Sequence, residues 1–272
     1  MNNQTEFTAV AEPNVKGYQT EFTVADAIVK ELLQAGVEAV FGIVSIHNMP
    51  IYDAILRDGN IRTVTARGES GAVNMADAYA RATGKLGVVI TSTGTGAGNG
   101  AGSLSEAWNS GTPVLHITGE ADSHYIGTDQ RYIHEAKDQL KMMEGANKAA
   151  YLLKRPKQII PFIRKAIKEA LTVPTGPVTI SIPTNFQAQI IPQNQLIDVE
   201  TVQNPEVKIN IPADVVERIA LAKRPIIWAG NGVIASGASE ELQRLVDKIQ
   251  PAVVTSESGK GSIPENHPLC IG

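Results

Sequence analysis

The chain has 272 residues, with 24 Lys+Arg against 28 Asp+Glu and a formal net charge of −4. Its 43% hydrophobic and 19% charged residues suit a packed globular protein of one large domain or two, and exclude a disordered chain. The mild acidity gives no footprint for nucleic acid, the single cysteine excludes an internal disulfide or a multi-Cys metal site, and no apolar run reaches the ~18 residues of a membrane span.

Residues 1–17 are polar and read as a flexible N-terminus, with no basic or apolar region of a secretory signal. A cytoplasmic α/β protein is expected. Val24, Ala25, Ile28, Val29, Leu32 and Leu33 recur at helical spacing up to Gly36. Ala39 to Phe41 is a short buried strand ending at Gly42, Pro50 opens a helix to about Arg57, and Ile61 to Thr65 is a strand. Ala72, Met75, Ala76, Tyr79 and Ala80 mark one face of a helix stopped by Gly84. Gly87 to Ile90 is a strand, followed by a glycine-rich loop from Ser92 to Gly102 and a helix face of Leu104, Ala107 and Trp108. Pro113 to Ile117 and Ala149 to Leu153 are strands, Ile159 to Ala170 an amphipathic helix, and Val178 to Ile182 a closing strand.

Strands separated by helices predict a parallel sheet flanked by helices over residues 18–185. Residues 186–212 read as a proline-bearing linker. The rhythm restarts over 213–272, with helices at Ala213 to Ala222 and Ala238 to Ile249, strands at Pro225 to Ala229 and Ala252 to Thr255, and a turn at Gly230-Asn-Gly232. This last unit is expected to be an incomplete, Rossmann-like central domain.

In such a sheet ligands bind beyond the carboxyl ends of the strands. The segments leaving that edge are 42–50, 67–72, 92–100 and 119–122. Glu69 stands at a helix start, where a carboxylate either favours the helix dipole or exchanges a proton with a ligand. Ser92–Gly100 lacks the G-K-[ST] of a phosphate loop and the spacing of a dinucleotide fingerprint, so an NAD(P) oxidoreductase reading is weak. His47 is a loop histidine with either a packing or a catalytic role, His116 reads as a core residue, and no spacing among the histidines and carboxylates makes a metal site.

Together these segments resemble the N-terminal half of thiamine-diphosphate-dependent enzymes of the acetolactate synthase group. The likeness rests on Val40-Phe41-Gly42 with Pro50 and Asp53-Ala54, and on Arg67-Gly-Glu-Ser-Gly-Ala72 with Met75 to Gly84. It continues through Thr93-Gly-Thr-Gly-Ala-Gly-Asn99, Pro113 to Gly119, Ile126-Gly-Thr-Asp129 and Gly176 to Pro183, all in the family's order. The resemblance implies a pyrimidine-binding domain and the start of a central domain. It implies thiamine diphosphate as cofactor, with Mg²⁺ held by a C-terminal domain that nothing in these residues resembles. FAD, bound by some members through the central domain, has no residue speaking for it.

Glu69 falls on the family's glutamate, which hydrogen-bonds the cofactor's aminopyrimidine so that thiazolium C2 loses its proton and adds to a 2-oxo acid. Val44, Ser92, Thr93, Gly94, Thr95 and Asn99 fall on cofactor-binding segments. Several positions depart from the pattern: Val44-Ser45-Ile46 replaces "PGG", Gly68 the histidine of "RHE", and Glu120 the glutamine of "TGQ". His47 lies where benzaldehyde lyase also carries a histidine, Ala107 to Ser110 resembles benzoylformate decarboxylase, and the opening segment resembles oxalyl-CoA decarboxylase. His47 and Glu120 therefore join Glu69 as candidate catalytic residues. A carboligase or decarboxylase acting as a homodimer or tetramer is expected, beside a non-catalytic chain that pairs with one carrying the diphosphate-binding domain. The chain is expected to be a fragment or split-gene subunit with little activity alone.

Overall fold

The computed structural model describes residues 21–192 and 210–272, so the N-terminal segment 1–17 and most of the expected linker lie outside the described residues. The first unit runs α1 (Val24–Gln34), β1 (Ala39–Gly42), α2 (Met49–Asp58), β2 (Arg62–Thr65), α3 (Glu69–Thr83), β3 (Gly87–Thr91), α4 (Thr95–Asn109) and β4 (Val114–Glu120). It continues through α5 (Gln139–Glu144), β5 (Ala149–Leu152), α6 (Ile159–Leu171), β6 (Val178–Pro183) and α7 (Thr184–Gln187). The second has α8 (Ala213–Leu221), β7 (Ile226–Ala229), α9 (Asn231–Ala235), α10 (Ser239–Ile249) and β8 (Ala252–Thr255).

The six strands of the first unit are all parallel, in the order β2-β1-β3-β4-β6-β5. Helices cover both faces, as the strand–helix alternation requires. One core joins α1, α2 and α6 to the sheet through Ile28, Leu32, Ile55 and Ile163. The other joins α3, α4 and α5 through Val73, Ala76, Ala97, Leu104 and Met143. Burying each large aliphatic side chain contributes about 1.5–3 kcal/mol. Thr23 starts α1 with a capping box: its hydroxyl accepts from the Asp26 N–H while the Asp26 carboxylate accepts from the Thr23 N–H. Gly59 and Gly84 end α2 and α3 in the left-handed conformation.

Several expectations shift. On α3 the buried face is Ala72, Val73, Ala76 and Ala80, while Met75 is exposed. Trp108 is exposed too, although Leu104 and Ala107 are buried. The glycine-rich stretch is a loop only to Gly94, and the rest is the first half of α4. Glycine is a poor helix former, costing about 1 kcal/mol per residue against alanine, so packing sustains this helix. A Cβ at Gly100 would lie 3.2 Å from Val73 Cγ2 of α3, and one at Gly98 would lie 3.5 Å from Met142 Sδ of α5. The small residues let α4 sit tightly between its neighbours. Strand β4 extends to Glu120, so Gly119 and Glu120 belong to the sheet and not to a loop after it.

Of the expected linker, Ile191 is buried and its N–H donates to the Phe22 carbonyl at 2.8 Å. In the second unit β7 and β8 pair in parallel over a small core of Ala229, Leu242, Val246, Val253 and Ile263. Of the expected turn at Gly230-Asn-Gly232, Gly230 caps α9 and Asn231 and Gly232 are its first two residues. No residue of α8 is buried, and Ile226 and Trp228 of β7 are exposed. Among the described residues no helix is long and apolar enough to cross a membrane.

Candidate active site

The strand order reverses between β1 and β3, so the loops leaving their carboxyl ends diverge there and open a crevice. Candidate residues gather at this edge. Glu69 is the first residue of α3, half-buried, after the β2 strand. Its Oε2 accepts a hydrogen bond from Asn99 Nδ2 on α4 at 3.2 Å. Its Oε1 lies 3.0 Å from where a Cβ of Gly96 would be, and that same Cβ would lie 2.7 Å from the Ser92 Cβ. Gly96 thus lets the start of α4 close on the carboxylate, with Ser92 beside it. Gly68 and Gly71, which flank the carboxylate in sequence, have open space where a side chain would be.

His47 is 1% exposed. Its Nδ1 lies 3.2 Å from Ser92 Oγ across the β1–β3 crevice, and its ring stands edge-on to His134 and Tyr132. Nε2 is buried without a hydrogen-bond partner. Burial, then the neighbouring His134, holds the imidazole below its ordinary pKa, which favours the neutral ring. Val44 and Ile46, in place of small residues, expose apolar side chains on the same loop.

Glu120 ends β4, 5% exposed, with Oε1 accepting from the Ala121 N–H at 2.9 Å. Burial pushes its carboxyl up to about 7, helped by Glu135 and Asp138 and opposed by the Ala121 N–H and the Thr93 hydroxyl. A pKa above the usual carboxylate range means that folding favours the protonated form. Stability from this group is full below pH ~4.5, falls as pH rises and is gone above pH ~7, and each tenfold gain in proton affinity on folding corresponds to about 1.36 kcal/mol. Glu120→Gln keeps an acceptor for Ala121 and removes the ionisation. The expected result is a thermal midpoint that falls less than the unmodified chain's between pH 4.5 and 7. Parallel midpoint curves across that window would rule out the raised carboxyl.

His116 is fully buried and held neutral, with a pKa pushed down to about 3 by burial. The Thr179 hydroxyl donates to Asn147 Oδ1 at 3.0 Å, so it accepts from His116 Nδ1–H at 2.9 Å, and Nε2 faces the Thr91 hydroxyl at 2.8 Å. It is the satisfied core histidine expected.

The structure therefore brings Glu69, Ser92 and Asn99 together around Gly96, and links His47 to them through Ser92. Thr93 and Gly94 are buried beneath that group, while Thr95 is exposed on α4. Glu120 bonds its own neighbour and neither Glu69 nor His47. Two glutamines escape the sequence reading. Gln139, the first residue of α5, binds Thr93 and Gly94. Gln187 of α7 donates to the His47 carbonyl at 2.7 Å and the Ile182 carbonyl at 3.1 Å, and its buried Oε1 has no partner. Only the Asp138 cap, whose carboxylate accepts from the Lys141 N–H, signals the helix that carries Gln139.

A half-exposed carboxylate in a glycine-walled crevice suits an aminopyrimidine ring nitrogen, which can share a proton with a carboxyl. The family described as thiamine pyrophosphate enzyme, N-terminal TPP binding domain, matches residues 22–142. The thiamine pyrophosphate enzyme central domain matches residues 212–272. The chain is 34% identical over 261 residues to a probable acetolactate synthase large subunit of Methanocaldococcus jannaschii, covering 91% of this chain and 42% of that one. It is 33% identical over 255 residues to a probable 2-ketoarginine decarboxylase of Pseudomonas aeruginosa, covering 93% of this chain and 45% of that one. A thiamine diphosphate-dependent 4-hydroxybenzoylformate decarboxylase of Rhodococcus jostii RHA1 shares the fold, with TM-score 0.80 and 24% identity over 91% of this chain and 47% of that one. The chain thus spans less than half the length of these relatives. With both family domains matched in order, the chain belongs to the thiamine pyrophosphate enzyme family, and its residues correspond to the N-terminal and central portion of an acetolactate synthase-like member.

Proposed function

We propose that this chain supplies the pyrimidine-activating half of a 2-oxo-acid carboligase, with residues 18–185 as the pyrimidine-binding domain, 186–212 as a linker and 213–272 as the start of the central domain. The observation that carries this reading is the setting of Glu69, fixed by Asn99 and left open on its glycine side. Bound thiamine diphosphate would supply a carbanion that adds to the substrate's carbonyl. Glu69 holds or gives up a proton at the pyrimidine ring nitrogen, and Asn99 sets the carboxylate's direction. Ser92, Thr93, Gly94, Thr95 and the apolar Val44 would help to hold the ring. His47 offers a neutral imidazole nitrogen, and Glu120 a carboxyl that is protonated below pH ~7 and able to donate a hydrogen bond to a substrate oxygen.

Assembly as a homodimer or tetramer, or pairing with a chain that carries the diphosphate- and Mg²⁺-binding domain, completes the proposal, in the cytoplasm and with little turnover by this chain alone. A decarboxylase is the second reading, favoured by the decarboxylases among its relatives and by the buried acid at Glu120. The test is calorimetric titration of the full chain with thiamine diphosphate, with and without a protein carrying the diphosphate-binding half. Saturable binding that the second protein tightens is expected. No binding in either titration would sink the reading.

A further inference from the structure

We propose that Gln139 is a positioning residue that holds the Thr93–Gly94 turn, and through it the start of α4, in the arrangement Glu69 faces. The proposal rests on the reading above that this turn and Glu69 border the cofactor's pyrimidine. Gln139 is 2% exposed, and both ends of its amide are engaged. Nε2 donates to the Gly119 carbonyl at 2.8 Å and to Ser181 Oγ at 3.1 Å. Oε1 accepts from Thr93 Oγ1 at 2.9 Å and from the Gly94 N–H at 2.5 Å. One side chain thus ties the carboxyl ends of β3, β4 and β6 together.

The turn needs such a holder. Gly94 has φ 50° and ψ −96°, a conformation only glycine adopts freely, and its Cα lies so close to the His134 carbonyl that no side chain fits. The carbonyls of Thr93 and Gly94 already accept the first bonds of α4, from the N–H groups of Gly96 and Gly98. Of the turn's remaining donors, Gln139 takes the Gly94 N–H and the Thr93 hydroxyl. Two residues beyond Gly94, Gly96 borders the Glu69 carboxylate, so movement of the turn is passed directly to the proton-holding group.

Only an amide fits this role, because it offers two N–H donors and a carbonyl acceptor on one planar group. A carboxylate would set an oxygen against the Gly119 carbonyl. A leucine would leave buried polar partners unpaired.

The experiment is hydrogen-exchange mass spectrometry on the full chain, comparing Gln139→Glu and Gln139→Leu with the unmodified protein, paired with thiamine diphosphate titration of each. Protection over residues 92–100 is expected to fall about tenfold in both variants, while strands 114–118 and 178–182 stay within about twofold. Affinity for thiamine diphosphate is expected to weaken about tenfold. Lowering the pH protonates the introduced carboxylate of Gln139→Glu, so protection corrected for intrinsic exchange should partly return, which a simple packing role would not produce. Unchanged protection over 92–100, or unchanged affinity, would overturn the proposal. So would loss of protection throughout the sheet in both variants, which would make Gln139 a general packing residue. If the unmodified chain binds no thiamine diphosphate, the cofactor reading fails by itself, and the exchange comparison still decides whether Gln139 holds the turn.

Discussion

Glu69→Gln is expected to lower turnover of a 2-oxo acid by a factor of about 10²–10⁴, the usual scale for removing a positioned proton-transfer group. The substitution keeps the length and shape of the side chain. Its carbonyl oxygen can still accept from Asn99 Nδ2, whose donor lies 3.2 Å from the present carboxylate. The contact at Gly96 demands only a planar group of the same size. What disappears is the ability to hold a proton between the side chain and the ring nitrogen of a bound pyrimidine. Because Glu69 is half-buried at a helix start, loss of its charge from the first turn should change stability by no more than about 0.5–1 kcal/mol. The measurement is carbon dioxide release by the full chain, supplemented with a protein carrying the diphosphate-binding half, alongside thermal unfolding. Retained turnover in a folded variant would remove Glu69 from the proton pathway and leave it as a helix-dipole carboxylate.

The placement of Glu69 is also where the sequence is most and least informative. Its position at a strand–helix junction follows from local signals: the Arg62–Thr65 strand, the glycines at 68 and 71, and the apolar spacing up to Gly84. The partner that orients it does not. Asn99 lies thirty residues on, inside a stretch whose glycines argue for a loop by propensity. Tertiary packing overrides propensity there, because Gly96 and Gly100 are the face on which α3 rests. One member of the expected α3 face is misplaced for a related reason, while Ala72, Ala76 and Ala80 are buried as expected. Met75 and Val73 both fit an apolar stripe, and only the nearness of α4 selects Val73 for the core. Trp108 illustrates the one-way character of hydrophobic patterning, since a large apolar residue at helical spacing is free to face outward. Gln139 was illegible because its role comes from β3, β4 and β6 converging on it, a relation that no local pattern encodes. His47 and Glu120 were legible as candidates at the sheet's edge, but their burial, which decides their protonation, is a property of the whole fold.

Arg164→Leu is expected to destabilise the first unit by about 3–5 kcal/mol, the scale for stranding one member of a buried ion pair. Glu31 of α1 is 3% exposed, and the Arg164 guanidinium on α6 grips it with two nitrogens, Nε to Oε2 at 2.6 Å and Nη2 to Oε1 at 3.0 Å. The fork geometry of arginine matches both carboxylate oxygens, and a lysine would offer only a point charge. Leucine leaves the Glu31 carboxylate in an apolar seam between α1 and α6, with its desolvation no longer offset. The double variant Glu31→Leu with Arg164→Leu should recover the part of the loss that comes from stranding the Glu31 carboxylate, because a well-packed apolar pair often replaces a buried ion pair at little cost. Urea unfolding of both variants and the unmodified chain measures the difference. A single variant within about 1 kcal/mol of the unmodified chain would show that water reaches the Glu31 carboxylate. The pair also separates stability from the site. α1 and α6 cover the sheet face opposite α3 and α4, so Arg164→Leu, kept well below its unfolding midpoint, should bind thiamine diphosphate as the unmodified chain does. Glu69→Gln should show the reverse, with stability retained and the proton step lost. That crossed pattern assigns one buried carboxylate to the fold and the other, half-buried one to the chemistry.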